Sequence, residues 1–157
     1  MKLNLIYSNS IDGIIGVNND LYCKIKSDLK MFQNITSTRF NNYKNIIIMG
    51  YNTWKSIEKP LKNRINIVIS KNHQEEFKDI DHIFCFENIE ECFKFIEDID
   101  YGKIFVIGGE YLFSEIIKYY FDSIDLIYQT QIIEEANNFL LSRFNITYNK
   151  IPLHRYD

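Results

Sequence analysis

Three short segments combine residue types that can do chemistry. Ile107-Gly108-Gly109-Glu110 sets paired glycines after an apolar, β-branched run and before a helical pattern. Glycines there let backbone approach a ligand closely, and a helix start offers free N–H groups to an anion. The same pair also serves as a plain tight turn. The G-x-G-x-x-G spacing of a Rossmann dinucleotide unit is absent. The second segment carries Asp28, followed by Leu29, Phe32 and Ile35. On helical spacing the acid shares the stripe of Phe32 and Ile35. It is either a first-turn carboxylate stabilised by the helix dipole or a carboxylate in an apolar pocket. In the second case desolvation raises its pKa and it grips a protonated or amino-bearing heterocycle. The third segment is Met49–Ile57, which holds the sole tryptophan, Trp54, and leads into Pro60–Asn66. Arg64 there opens a β-branched run, as a bidentate partner for a substrate carboxylate or as an ordinary surface arginine.

Composition removes other chemistries. The cysteines are Cys23, Cys85 and Cys92, with no C-x-x-C pair, and the histidines His73, His82 and His154 lie far apart. Neither a disulfide framework nor a metal site is expected, and a reducing, cytoplasmic compartment fits. Lys and Arg number 18 against 21 Asp and Glu, a net charge of -3, so nucleic acid is not an expected partner. No window approaches the roughly 18 apolar residues of a membrane span, and the N-terminus is unlike a signal peptide. With 157 residues, 46% of them apolar, the chain reads as one domain over 1–157.

The elements that must hold these segments alternate. Leu3–Asn9, Ile46–Met49, Ile65–Ile69, His82–Phe86 and Lys103–Ile107 are short apolar runs, as in strands buried on both faces, and Ile124–Ile133 is a longer one. Helical patterns cover Ser27–Asn34 with Ser27 as N-cap, a short stretch capped by Thr53 to about Ile57, Asn88–Ile99, and Glu110–Tyr119. Asn88 followed by Glu91 has the form of a capping box. The fold class is therefore α/β, a central, mostly parallel twisted sheet flanked by helices. The aromatic groups Tyr119-Tyr120-Phe121 and Phe93–Phe95 read as core packing and helix-end contacts, Glu90-Glu91 with Glu97-Asp98 as a solvated helix face, and Cys85 and Cys92 as small buried residues.

Taken in order, these segments resemble dihydrofolate reductase. The match rests on D-G-x-I-G (Asp12–Gly16), M-G-x-x-T-W-x-S-I (Met49–Ile57) leading into P-L-x-x-R-x-N (Pro60–Asn66), and I-G-G (Ile107–Gly109), and it is strongest over residues 3–139. The resemblance implies NADPH-dependent reduction of 7,8-dihydrofolate to tetrahydrofolate, in support of thymidylate and purine synthesis. It implies that Asp28 grips the pterin and helps deliver a proton, with Thr130 bracing that carboxylate. Ile6, Leu29, Phe32, Met49, Ile57, Leu61 and Ile107 would wall the substrate pocket, and Arg64 would take the carboxylate of the substrate's glutamate tail. Ser8, Ile15, Gly16, Gly50, Thr53, Ser70, Lys71, Gly108 and Gly109 would meet the cofactor. In the family the two glycines are joined by a cis peptide. Ser70-Lys71 would face the adenosine 2′-phosphate. Hydride transfer of this kind asks the protein for two rings held in contact, exclusion of water and one proton, with no nucleophile or metal.

Three features depart from the family's pattern. Tyr22-Cys23 stands where Pro-Trp is usual, which bears on turnover more than on binding. Tyr51 stands where a cation usually grips the 2′-phosphate. The tail over 140–157 is short, with Phe144–Ile151 as one strand, so that it reads as a shortened C-terminal end or as a linker to a thymidylate synthase domain on the same chain. Two other readings compete: a folate- and NADPH-binding domain with weakened catalysis, and a pyrimidine reductase of riboflavin synthesis.

Overall fold

The β-branched runs form strands because their branched side chains fit a pleated surface and here meet apolar cover on both sides. The computed structural model describes residues 1–10, 16–17, 20–21, 26–132 and 146–151. In chain order its elements are β1 (Leu3–Ser10), β2 (Gly16–Val17), β3 (Asp20–Leu21), α1 (Lys26–Ser37), β4 (Asn45–Gly50), α2 (Tyr51–Ile57) and β5 (Arg64–Ile69). They continue as β6 (Ile83–Phe86), α3 (Ile89–Glu97), β7 (Ile104–Gly108), α4 (Glu110–Tyr119), β8 (Ile124–Ile132) and β9 (Ile146–Ile151). Short 3-10 turns occupy Gln74–Phe77 and Phe121–Ser123.

The main sheet has seven strands in the order β6-β5-β4-β7-β1-β8-β9. Every neighbouring pair is parallel except β8–β9, which is antiparallel. The expected terminal strand is thus present as β9, covering the outer edge of β8. The strands β2 and β3 make a separate two-stranded ladder. Residues 46–49 of β4 are 0% exposed, the double burial that their unbroken apolar run implies. On one face Ile46, Ile48, Ile67 and Val106 pack under Cys92 and Ile96 of α3 and Leu112 and Ile116 of α4. On the other, Ile47, Met49, Val68, Phe105 and Ile107 meet Trp54 of α2 and Phe32 and Ile35 of α1.

The α3 signal holds in detail, since the Asn88 side chain accepts from the Glu91 N–H at 2.9 Å. The acids of that helix, Glu90, Glu91, Glu97 and Asp98, are exposed as expected. Two other caps do not hold. The helix α1 begins at Lys26, so Ser27 lies inside it. Thr53 lies inside α2, whose N-cap is Gly50, because the chain turns into the helix directly from the extended end of β4. Tyr119, at the end of α4, is 64% exposed with Lys118 Nζ 5.1 Å from its ring centre, whereas Tyr120 stands edge-on to Phe93 at 5.0 Å. Cys92 is fully buried and Cys85 half-buried.

Two buried asparagines fix the connections around the site. Asn45 donates to the carbonyls of Thr36 and Thr38 and accepts from the Lys103 N–H, tying the end of α1 to the start of β7. Asn66 accepts from the Leu61 N–H at 2.8 Å and donates to the carbonyls of Leu61 and Arg64, closing the loop that enters β5.

Candidate functional site

In an open α/β sheet, ligands bind in the crevice beyond the carboxyl ends of the strands. Here that edge is formed where β4 ends at Gly50, β5 runs into Ser70, and β7 ends at Gly108. The Gly108–Gly109 peptide is cis, and Gly109 caps α4. Gly108 has φ +137°, a region L side chains rarely adopt, and a Cβ there would come within 3.1 Å of the Thr53 hydroxyl. A Cβ on Gly50 would meet the Gly109 nitrogen at 3.5 Å. Backbone from two strands and the Thr53 hydroxyl therefore converge here, and at Gly108 both the backbone conformation and the close hydroxyl call for glycine.

Beside this edge lies the second apolar cluster. It gathers Ile6, Met49 and Ile107 as buried members and Phe32, Ile57 and Leu61 as partly buried ones. Strands β1, β4 and β7, helices α1 and α2 and the loop before β5 each contribute to it. Asp28 and Leu29 lie in the first turn of α1, and Ser8 is in register with Thr130 across β1 and β8. The structure describes the backbone of these residues and not their side chains. Gly16 pairs with Leu21 in the small ladder, while Ile15, Tyr22 and Cys23 lie outside the described residues.

At the opposite end of β5 stands Arg64, only 8% exposed. Its Nη1 donates to the Thr36 hydroxyl at 2.9 Å and its Nε to the Lys62 carbonyl at 2.8 Å. Among the described residues no carboxylate forms an ion pair with it. Burial lowers its pKa, the signature of a cation taken out of water without a counter-charge. From Arg64 to Ser70 an extended strand spans roughly 20 Å. The two ends of one strand thus offer a desolvated cation and a glycine-lined crevice, with the apolar cluster between them.

Around Ser70 the side chains are already engaged with one another. The Ser70 hydroxyl is 2.8 Å from His73 Nδ1, and His73 stacks on Tyr51 at 3.5 Å with an interplanar angle of 8°. The Tyr51 hydroxyl donates to both oxygens of Glu76, at 2.8 and 2.7 Å. That bond first, then burial and the charge of Glu76, raise the Tyr51 pKa. Lys71 is exposed. Among the described residues there is no group of three or more His, Cys, Asp or Glu able to hold a metal, and no helix long and apolar enough to cross a membrane.

Sequence reading missed Thr36, Asn66 as a pin, His73 and Glu76. Thr36 had a signal, because it follows Phe32 by four residues and so lies beside it along the helix. Asn66 was inside a recognised motif without a role. His73 and Glu76 carried none, since only the path of the 70–77 loop brings them to Tyr51.

The sequence profile of the family described as dihydrofolate reductase matches residues 2–149. A protein of Mycoplasmoides gallisepticum named segregation and condensation protein A is 34% identical over 117 residues, covering 74% of this chain and 18% of that protein. The bifunctional dihydrofolate reductase-thymidylate synthase of Paramecium tetraurelia is 35% identical over 113 residues, 71% of this chain and 22% of its own length. The dihydrofolate reductase of Schistosoma mansoni is 32% identical over 148 residues, 87% of this chain and 75% of the relative. The chain thus spans about a fifth of the first two relatives and three quarters of the third.

Proposed function

This chain belongs to the dihydrofolate reductase family, and on that premise we propose that it reduces 7,8-dihydrofolate to tetrahydrofolate with NADPH. The observation that carries the reading is Arg64: a buried guanidinium with no ion-pair partner among the described residues, beside an apolar cluster that includes Phe32 and Leu61. A flat heterocycle with a carboxylate tail suits that pairing of apolar slot and lone cation.

The glycine-lined crevice suits a dinucleotide, because a Cβ at Gly108 would press on Thr53 and raise the floor. When bound, the reduced nicotinamide supplies the hydride. The chain's own residues do the rest. Gly50, Thr53, Gly108 and Gly109, with Ser8, Ile15 and Gly16, would hold the cofactor; Ser70 and Lys71 would meet its adenosine end. Ile6, Leu29, Phe32, Met49, Ile57, Leu61 and Ile107 would exclude water and align the rings. The Asp28 carboxyl, braced by Thr130, would grip the pterin's amino group and supply the proton. Its product would feed thymidylate and purine synthesis, and a thymidylate synthase domain on the same chain is a fitting partner. The 1–157 stretch would then act as one reductase domain in the cytoplasm.

The test is loss of absorbance at 340 nm with purified protein, NADPH and dihydrofolate, and methotrexate as the blocking control. Methotrexate-sensitive consumption is expected. Asp28→Asn should lower turnover by about 10²- to 10⁴-fold, the span of acid–base catalysis, and leave NADPH binding intact. Full activity in that variant would remove Asp28 from the reaction. Tight methotrexate binding without turnover would favour the weakened binding domain, with Tyr22-Cys23 as the first suspect.

A further inference from the structure

The crevice edge at the end of β5 holds an acid that the proposed reaction does not use. Glu76 is exposed, yet both of its oxygens accept from the Tyr51 hydroxyl. Among the described residues no cation forms an ion pair with it, whereas its neighbour Glu75 is tied to Lys78 at 2.8 Å. Lys55 of α2 lies with its Nζ 5.7 Å from the Tyr51 ring centre, and Lys71, which follows Ser70, is exposed. The Glu76 field also adds to the raised pKa of Cys85, after burial as the main cause.

Nucleotide sites distinguish their two dinucleotides by charge at the adenosine ribose. An acidic residue accepts from a free 2′-hydroxyl, and a cation such as arginine accommodates a 2′-phosphate. At this edge the position after Gly50 is Tyr51, whose hydroxyl presents a carboxylate, and the Ser70 hydroxyl is committed to His73. The stacked Tyr51–His73 pair fixes the arrangement, so the acid is held in place instead of ranging freely.

We propose that Glu76, anchored by Tyr51, is a specificity residue for the cofactor: its charge opposes a 2′-phosphate and narrows the preference for NADPH over NADH. The inference rests on the nucleotide reading of the crevice given above. Glu76→Gln keeps an oxygen to accept from Tyr51 and removes only the charge, so the fold is not at risk.

The experiment is titration of NADPH and of NADH into the purified chain, followed by quenching of Trp54 fluorescence or by calorimetry. Wild type, Glu76→Gln and the control Glu75→Gln are compared at low and at high salt. Glu76→Gln should tighten NADPH about five- to tenfold at low salt and leave NADH within twofold, with the gain fading as salt screens the pair. Glu75→Gln should leave the NADPH-to-NADH ratio unchanged. An unchanged ratio in Glu76→Gln, or equal shifts in both variants, overturns the proposal. Binding of neither cofactor by wild type refutes the nucleotide reading itself, and the role of Glu76 falls with it.

Discussion

Arg64 is 8% exposed and makes only neutral hydrogen bonds, to the Thr36 hydroxyl and the Lys62 carbonyl. Taking a cation out of water without a counter-charge is costly, so a site that keeps one has been built for something other than stability. Arg64→Leu separates the two roles. Thr36 retains its bond to the Phe32 carbonyl at 2.8 Å, so the loss strands no buried hydroxyl. Melting temperature should hold or rise, because replacing a buried charge by an apolar side chain of similar volume is neutral or favourable. The KM for dihydrofolate should rise about ten- to hundredfold, the worth of about 1.5–3 kcal/mol for hydrogen bonds to a charged group, with kcat little changed. Melting curves and steady-state kinetics check it; a large fall in melting temperature with KM unmoved would make Arg64 structural. At this scale the sequence marked Arg64, Asp28 and the glycine pair, since each sits in a motif with its own local chemistry. It did not mark Glu76, because a loop residue meets Tyr51 only through tertiary path.

The elements show which local signals survive folding. Asn88 caps α3 because its side chain reaches the Glu91 N–H while Ile89, Cys92 and Ile96 bury the opposite face. Ser27 and Thr53 carry the same chemical signal, yet both lie within helices, and α2 starts at the very end of β4 and needs no side-chain cap. For Thr53 the reason is this direct run of strand into helix, whereas Asn88 follows a loop and reaches the N–H it caps. Asn88→Ala should therefore cost about 1 kcal/mol, measured by urea unfolding, with the dependence on denaturant unchanged. Loss well below half of that would mean that burial of the α3 apolar face alone sets the helix start.

For the whole molecule, the unbroken β-branched runs announced a parallel sheet covered on both faces, and the paired strands β4 and β7 deliver it with residues 46–49 at 0% exposure, whereas β6, at the sheet edge, leaves Phe84 43% exposed. Strand order was not legible, because period and propensity say which residues form strands and not which strands meet. Burial also makes the stability of the fold depend on alkaline pH. Burial pushes the Cys92 thiol from its ordinary 9.0 up to about 12, and burial foremost pushes Cys85 up to about 11. The unfolded chain therefore releases these protons first. Above about pH 9 it binds fewer protons than the native state, so stability falls with rising pH until the folded thiols titrate near 11 and 12. Tyr120, raised to about 12 by burial and then by its bond to Glu90, acts in the same sense at the upper end. Melting temperature should be level in this respect below pH 8 and slope downward from there to pH 11. Cys92→Ala, whatever its own melting temperature, should make that slope shallower without abolishing it, because Cys85 and Tyr120 still hold their protons longer in the folded state. An unchanged slope in Cys92→Ala would mean that the thiol titrates alike in both states.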